Sequence, residues 1–142
     1  MKNHLHRKRH IRFAAASLLG VLFASAACAD TFGLHAVSVH SKPGFNGINP
    51  GFYYLAENGL TAGTYRNSEN AHSTYVGYTH NLGAFDASII LVNGYRAAHI
   101  LPTIVPSYAV QLGGGFALRT SLLLNPLPGG ANAVHFSLEA KR

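Results

Sequence analysis

The stretch Ala133-Val134-His135-Phe136-Ser137-Leu138-Glu139, near the C-terminus, alternates apolar and polar side chains with a period of two. Successive side chains of a β-strand point to opposite faces, so this alternation predicts a strand with one apolar and one polar face. The same pattern occurs in residues 85–91, FDASIIL, and in residues 116–124, FALRTSLLL. Three such strands favour an all-β fold.

Turn signals rich in Gly and Asn divide the rest of the chain into further short strands. The sequence predicts eight strands, at residues 32–40, 51–56, 60–66, 73–80, 85–93, 105–111, 116–124 and 133–139. The connections alternate between short turns, at 57–59, 81–83 and 113–115, and longer loops, at 41–50, 67–72, 94–104 and 125–132. Outer-membrane barrels combine short periplasmic turns and longer outer loops with an even number of antiparallel strands. We therefore predict a small eight-stranded antiparallel up-and-down barrel of the outer-membrane type, with a soluble barrel or sandwich as the alternative.

The direction of the two faces separates these alternatives, because a membrane barrel turns its apolar face outward and a soluble fold turns it inward. The membrane interpretation places Phe85, Ile89, Leu91, Leu118, Leu122, Val134, Phe136 and Leu138 outside, and Asp86, Ser88, Arg119, Ser121, Ser137 and Glu139 inside. A buried charge without a partner is costly, so Arg119 should pair with Asp86 or Glu139. Several predicted strands are shorter than the usual 9 to 11 residues of a membrane strand, which weighs against this interpretation.

The first 29 residues have the order of a secretory signal peptide. A basic segment precedes an apolar run at residues 13–24, and the small residues at 25–29 follow. We expect cleavage after Ala29, which leaves residues 30–142 as the barrel and the outer membrane as its destination. A membrane anchor would need roughly 20 apolar residues. Lipidation of Cys28 would usually require Leu at the position that Ser25 occupies.

The charge of the chain is concentrated in this leader. Five of the eleven Lys and Arg residues lie in it, whereas all five acidic residues lie beyond it. The remaining chain is nearly neutral, so we expect no nucleic-acid partner. Cleavage also removes the only cysteine, and the histidines 35, 72, 80, 99 and 135 lack metal-ligand spacing, so no metal or cofactor is expected. Six tyrosines are expected to form girdles at the membrane interfaces, namely Tyr53, Tyr54, Tyr75, Tyr78, Tyr95 and Tyr108.

Between His40 and Leu138, a series of short motifs occurs in a fixed order. These motifs are Val39-His40, Phe45-Asn46, Gly63-Thr64-Tyr65-Arg66-Asn67-Ser68, Tyr75-Val76-Gly77-Tyr78, Arg96, Ile100-Leu101-Pro102-Thr103-Ile104-Val105-Pro106 and Asn125-Pro126-Leu127-Pro128-Gly129. Together they resemble the outer-membrane lipid A palmitoyltransferases, which are eight-stranded barrels that move an acyl chain from a phospholipid to lipid A. This chain resembles a remote and shortened relative of that family.

The resemblance implies a role for several residues. It matches His40 to the catalytic histidine of the family, and Asn67 and Ser68 to its Asp-Ser pair. It further matches Arg96 to the family's arginine, and Pro106 and Pro126 to the prolines beside its lateral lipid gap. Phospholipid and lipid A would then be the membrane lipids that this protein meets. The chain departs from the family in having Asn67 instead of aspartate, a shorter first loop and no amphipathic helix before the first strand.

The residues themselves support two functional hypotheses. His40 and Ser68 both fall at the outer end of the predicted barrel, where a histidine near a serine can act as its general base in acyl transfer. Alternatively, Ser68 caps a turn and His40 is an ordinary rim residue of a non-catalytic barrel that binds lipid or stabilises the envelope. Lys42, Arg66 and Arg96 also fall at this end, where they either bind anionic phosphates or are simply solvated.

Overall fold

The computed structural model describes residues 29–126 and 128–141, so most of the expected signal peptide lies outside the described residues. The eight strands are β1 (Ala29–His40), β2 (Ile48–Ala56), β3 (Leu60–Arg66), β4 (His72–Asn81), β5 (Asp86–Val92), β6 (Leu101–Gly113), β7 (Phe116–Leu123) and β8 (Ala133–Lys141). Each strand pairs antiparallel with the next, and β1 pairs with β8 to close a barrel. The predicted eight-stranded barrel is confirmed. The part of the chain that the structure describes holds no helix long and apolar enough to span a membrane.

The largest boundary error of the sequence prediction concerns β6. The prediction began this strand at Val105, because residues 94–104 were assigned to a loop and Pro102 and Pro106 were expected near strand ends, where a missing N–H interrupts the ladder. The strand in fact begins at Leu101 and is 13 residues long, with both prolines inside it. The expected shortness of the strands is also only partly correct, since β1 has 12 residues, β4 has 10, and β2 and β8 have 9 each.

The facing of the side chains is that of a membrane barrel. Of the eight side chains predicted to point outward, seven are exposed and Phe136 is partly exposed. On the opposite face, Arg119, Ser121, Ser137 and Glu139 are buried, whereas Asp86 and Ser88 are partly buried. Apolar side chains therefore cover the outside of the barrel and polar groups fill much of its inside, as in outer-membrane barrels.

A β-bulge in β1 changes which residues of that strand face inward. Both the ladder with β2 and the ladder with β8 skip a residue between His35 and Val37. The extra residue, Ala36, shifts the alternation by one position. Odd-numbered residues such as His35 face inward before the bulge, and even-numbered residues such as Ser38 and His40 face inward after it. The bulge thereby brings both histidines of β1 to the inner face.

The two ends of the barrel differ in their connections. At one end, here called the turn end, tight turns join β2 to β3, β4 to β5 and β6 to β7. At the other end, called the loop end, the connections are residues 41–47, 67–71, 93–100 and 124–132. The N-terminal end of β1 lies at the turn end, so the loop end would face outward in an outer membrane.

Candidate functional site

A buried ion-pair cluster fills the turn end of the barrel. Arg119 Nε donates to Glu139 Oε1 at 2.6 Å, and Arg119 Nη1 donates to Asp86 Oδ2 at 2.7 Å. Arg119 Nη1 also lies 2.7 Å from Ser107 Oγ, and the Tyr53 hydroxyl donates to Glu139 Oε1 at 2.7 Å. The expected pairing of Arg119 is confirmed, with both carboxylates as partners. Both acids accept hydrogen bonds from Arg119, so neither carboxylate lies inside the barrel without a cationic partner.

Two histidines meet in the middle of the barrel. His35 Nδ1 lies 2.9 Å from His135 Nε2, and the two outer nitrogens of the pair contact Tyr75 Oη at 3.1 Å and Ser38 Oγ at 2.8 Å. The short contact between the rings requires one nitrogen to donate and the other to accept. The sequence analysis missed this pair, because the residues are 100 positions apart and a bulge in β1 determines how His35 faces.

A cavity of about 140 Å³ lies inside the barrel between the loop end and the ion-pair cluster. One side of its wall is polar and aromatic, with His35, Tyr53, Tyr65, Tyr75 and His135. The other side is apolar and comes from β5, β6 and β7, with Ile90, Val92, Leu101, Val105 and Leu123. This volume is below the roughly 300–1,000 Å³ of sites that bury a drug-sized ligand. The cavity is therefore suited to a short or partly inserted apolar chain.

The strand pairing of the barrel wall is incomplete beside this cavity. The ladder between β6 and β7 extends from Gly113 and Phe116 to Ser107 and Ser121, and it has no pair beyond Ser107. Both strands nevertheless continue toward the loop end, where residues 101–106 of β6 pair with β5 only. The inward residues Val105 and Leu123 line the cavity on the two sides of this unpaired stretch. We call it the β6–β7 gap.

Prolines explain why this part of the wall can stay unpaired. Pro102 and Pro106 are exposed on the outer face of β6, and the ladder with β5 is continuous through both of them. A proline has no N–H to give to a ladder, so this continuity implies that their nitrogens face β7. Pro102, Ile104 and Pro106 are the three residues whose nitrogens face β7 here, and only Ile104 has an N–H. The gap therefore leaves few backbone donors without a partner in the membrane.

The outer surface around the gap is apolar. Ile104, Leu122 and Leu124 are exposed there, and Ile104 has 60% of its surface accessible. Pro126, which follows β7 and was predicted to stand beside a lateral opening, lines the loop end of the cavity. An acyl chain that approaches from the membrane would therefore meet apolar groups on both sides of the gap.

The two predicted catalytic residues lie at the loop end of the same cavity. His40 and Ser68 both line it. Among the described residues, no hydrogen bond joins them: the ring of His40 stacks on Phe45 with 5.5 Å between centroids, and the Ser68 side chain interacts with the Tyr95 phenol. Burial raises the pKa of that phenol, so Tyr95 remains a neutral partner.

Asn67, the third predicted catalytic residue, is fully buried in the turn that follows β3. Its Oδ1 accepts hydrogen bonds from the Glu69 and Ala71 N–H groups, both at 2.9 Å. Its Nδ2 donates to Ser73 Oγ at 3.0 Å and to the Gly94 carbonyl at 2.9 Å. The amide therefore connects the turn after β3 with the loop after β5, and its atoms do not orient His40.

The predicted phosphate-binding residues are exposed at the loop end. Lys42 Nζ lies 3.4 Å from the Gly129 carbonyl, and Arg66 Nη1 donates to Asn70 Oδ1 at 3.0 Å. The backbone N–H of Arg96 donates to Glu69 Oε2 at 2.9 Å. Arg96 borders an open polar groove together with Ser68 and Glu69. These cations do not line the cavity and lie on the surface that would face the medium.

The expected tyrosine girdle is only half correct. Tyr54, Tyr78 and Tyr108 are exposed on the outer face. Tyr53 and Tyr75, in contrast, are buried inside the barrel, and Tyr95 lines its cavity. The physical reason for the inward tyrosines is glycine, since Gly33 leaves room for the Tyr53 ring and Gly63 leaves room for the Tyr75 ring, where a Cβ would clash. Small residues opposite large ones are how a narrow barrel packs its interior.

Comparison with solved structures supports the membrane-barrel fold. The chain is similar to the solution NMR structure of the de novo designed protein TMB2.3, an eight-stranded transmembrane barrel, with a TM-score of 0.55 and 10% sequence identity. The similarity covers 80% of this chain and 94% of the designed one. At this identity the similarity concerns the fold alone. No protein-family model and no curated protein matches the sequence.

Proposed function

We propose that this protein is an outer-membrane barrel that binds membrane lipid by admitting an acyl chain sideways into its interior. The observation that carries the proposal is the β6–β7 gap, because the cavity lies directly behind it. Val105 and Leu123 border the gap from inside, whereas Ile104 and Leu122 border it on the outer face. A chain entering here would pass between apolar side chains. It would leave the apolar interior of the membrane and contact the apolar wall of the cavity without being exposed to water.

The turn end would stop such a chain. Arg119, Asp86 and Glu139 are joined by charged hydrogen bonds, and a hydrocarbon chain that entered this cluster would break them. The chain would therefore occupy the loop-end part of the cavity, next to Leu101 and Leu123. The cavity's small volume indicates that only a short or partial chain fits without movement of the interior side chains.

Lipid retention by the purified protein tests this proposal. Val105→Trp would fill the gap from inside, whereas Ile104→Trp adds the same ring on the outer face of the adjacent position. After extraction in a mild detergent, native mass spectrometry should detect bound lipid on the wild type and on Ile104→Trp, and at least about tenfold less on Val105→Trp. Circular dichroism and the heat-dependent shift in gel mobility would verify that each variant is a folded barrel. Equal retention in the two variants, or no bound lipid on the wild type, contradicts the proposal.

Acyl transfer is the second candidate function, because His40 and Ser68 line the loop end of the same cavity. In that case His40 would take the proton of the Ser68 hydroxyl as an acyl group is transferred. Such a step requires a movement that replaces the stacking of His40 on Phe45 and the contact between Ser68 and Tyr95.

Mass spectrometry of lipid A tests the catalytic candidate. Cells that produce the wild type should contain acylated lipid A, which Ser68→Ala and His40→Ala should abolish. His99→Ala is a suitable control, since it removes an exposed histidine at the same end of the barrel. If lipid A is the same with wild type, Ser68→Ala and no protein, the barrel binds lipid without modifying lipid A.

A further inference from the structure

A serine joins the histidine pair inside the barrel. Ser38 Oγ lies 2.8 Å from His135 Nδ1, and the other ring nitrogen of His135 lies 2.9 Å from His35 Nδ1. The second nitrogen of His35 lies 3.1 Å from Tyr75 Oη. A serine within hydrogen-bond distance of a histidine that a third group orients is the arrangement of an activated nucleophile and its base. Neither lipid binding nor acyl transfer at Ser68 gives these groups a chemical role.

The β-bulge of β1 places these side chains together. Ser38 lies directly opposite His135 in the ladder between β1 and β8. In a regular strand His35 and Ser38 would point to opposite faces, because they are three positions apart. The extra residue Ala36 places both on the inner face. Bulges are frequent beside active sites, where they redirect a side chain in this way.

The direction of these hydrogen bonds follows from the Ser38 hydroxyl. Among the described residues its one hydrogen-bond partner is His135 Nδ1, so the hydroxyl proton has no acceptor unless Nδ1 accepts it. The other nitrogen of His135 then carries the hydrogen and donates to His35 Nδ1, and His35 Nε2 donates to Tyr75 Oη. His135 is therefore in the tautomer that can take the serine proton. We call Ser38, His135 and His35 the inner triad.

The inner triad borders the cavity. Its three residues all line the cavity, and Ser38 keeps 9% of its surface accessible. His35 is partly exposed, and because its side chain lies inside the barrel, this exposed surface faces the cavity. The apolar wall with Leu101 and Leu123 belongs to the same cavity. A substrate could thus place an apolar chain against that wall and a polar reacting group at Ser38.

We propose that the inner triad cleaves carboxylic esters that carry a short acyl chain. Ser38 is the nucleophile and His135 is its general base, whereas His35 is a positioning residue that holds His135 in the correct tautomer. An ester offers an apolar chain to the wall of the cavity and a carbonyl carbon to Ser38. The cavity volume of about 140 Å³ limits the acyl chain to a short one. This proposal goes beyond lipid binding, and it uses a serine other than Ser68.

Ester cleavage at the inner triad takes two steps. In the first, Ser38 Oγ bonds to the carbonyl carbon while its proton passes to His135 Nδ1; the bond to the alcohol oxygen breaks, and that oxygen takes the proton. In the second, water bonds to the acyl carbon and gives a proton to His135 Nδ1. The bond to Ser38 then breaks, Ser38 Oγ takes the proton, and a carboxylic acid leaves. Because His35 accepts from His135 as a neutral ring, it adds no negative charge to stabilise the imidazolium, so we expect slow turnover.

Covalent labelling tests the nucleophile. Diisopropyl fluorophosphate reacts with an activated serine, whose oxygen bonds to phosphorus as fluoride leaves. After reaction with the folded barrel in lipid nanodiscs, mass spectrometry of the digested protein should locate the adduct on Ser38. Labelling should be absent in Ser38→Ala and at least about 100-fold slower in His135→Phe, which keeps a ring without nitrogens. Ser121→Ala is the matched control and should be labelled like the wild type: Ser121 also lies opposite His135 and lines the cavity, but no hydrogen bond joins the two side chains in the described part of the chain.

Hydrolysis of 4-nitrophenyl butyrate tests the positioning role of His35. His35→Asn keeps an oxygen acceptor in the place of Nδ1, whereas His35→Leu leaves His135 without an acceptor. We expect His35→Leu to lower kcat roughly 100-fold with an unchanged KM, because the tautomer of His135 is no longer fixed. His35→Asn should keep kcat within about tenfold of the wild type. Equal losses of kcat in the two variants would contradict the role of His35.

The outcomes keep this proposal separate from lipid binding. If the wild type forms no adduct, or if Ser38→Ala is labelled like the wild type, the inner triad is only a structural set of hydrogen bonds and the proposal is wrong. An adduct on Ser68 instead would support acyl transfer at the loop end and would also contradict the proposal. In both cases the lipid that the wild type retains in native mass spectrometry still decides lipid binding. An adduct confined to Ser38, with hydrolysis lost in Ser38→Ala, supports the inner triad.

Discussion

The turn end and the loop end of this barrel differ in the pairing of β6 with β7 and in the side chains that lie behind this pair of strands. At the turn end, the β6–β7 ladder is complete, and Arg119 makes charged hydrogen bonds to two carboxylates. At the loop end, residues 101–106 of β6 have no ladder partner in β7, and the cavity lies behind this stretch. Charged hydrogen bonds thus connect the strands at the turn end, whereas apolar side chains line the unpaired stretch at the loop end. The difference indicates that stability and binding can be changed independently.

Removing the ion-pair cluster should have the largest effect on stability. Arg119→Leu leaves Glu139 and Asp86 inside the barrel without their cation, which is expected to cost about 3–5 kcal/mol. Urea-induced unfolding in lipid vesicles measures this loss as a lower free energy of unfolding. The control Arg96→Leu removes an exposed arginine at the loop end and should change the free energy by less than about 0.5 kcal/mol. Similar effects of the two substitutions would mean that the ends do not differ as described.

An intermediate loss of stability is expected for a substitution of Asn67, whose buried amide connects backbone and side-chain groups at the loop end. Asn67→Asp keeps the acceptor for the Glu69 and Ala71 N–H groups but loses the donations to Ser73 and Gly94. We expect a loss of about 1–3 kcal/mol in the same unfolding experiment, because the new carboxylate faces the Gly94 carbonyl. Asn58→Ala, at an exposed turn, is the control. An Asp variant that is as stable as the wild type, or that gains acyltransferase activity, would show that Asn67 contacts the reacting groups instead.

A substitution of Pro106 should have the smallest effect on stability and a clear effect on lipid retention. Pro106→Ala restores an N–H that can pair with β7, so the free energy of unfolding should change by less than about 1 kcal/mol. Lipid retention should nevertheless decrease, because additional pairing narrows the gap. Pro50→Ala replaces an exposed proline of β2 and should leave lipid retention unchanged. Native mass spectrometry of both variants checks this, and equal retention would show that the proline does not hold the gap open.

The sequence predicted the features that depend on strict alternation. The faces of β5, β7 and β8 are regular, so the outward residues and the pairing of Arg119 with Asp86 and Glu139 followed from a period of two. The alternation fails in β1, where the bulge at Ala36 changes the phase and brings His35 to His135. A bulge of this kind has no signal in the pattern of one strand, because it is defined by the neighbouring strands.

The site could be predicted only in its coarse position. The connections located His40 and Ser68 at the loop end, and both residues line one cavity there. Their partners depend on local contacts that the sequence does not specify, such as the stacking of His40 on Phe45. The sequence prediction placed Pro102 in a loop and Pro106 near the end of a strand, although a strand with no partner on one side tolerates both prolines.

Photochemical labelling tests the central claim, that a lipid chain reaches the interior through the β6–β7 gap, most directly. The protein would be reconstituted in vesicles containing a phospholipid with a diazirine near the end of one acyl chain, and the labelled residues would be identified by mass spectrometry after illumination. We predict adducts on the inward residues Thr103, Val105 and Leu123 as well as on the outward residues Ile104 and Leu122. The buried residue Ala117, beside the complete part of the β6–β7 ladder, should remain unlabelled. Labelling confined to outward residues would contradict the account.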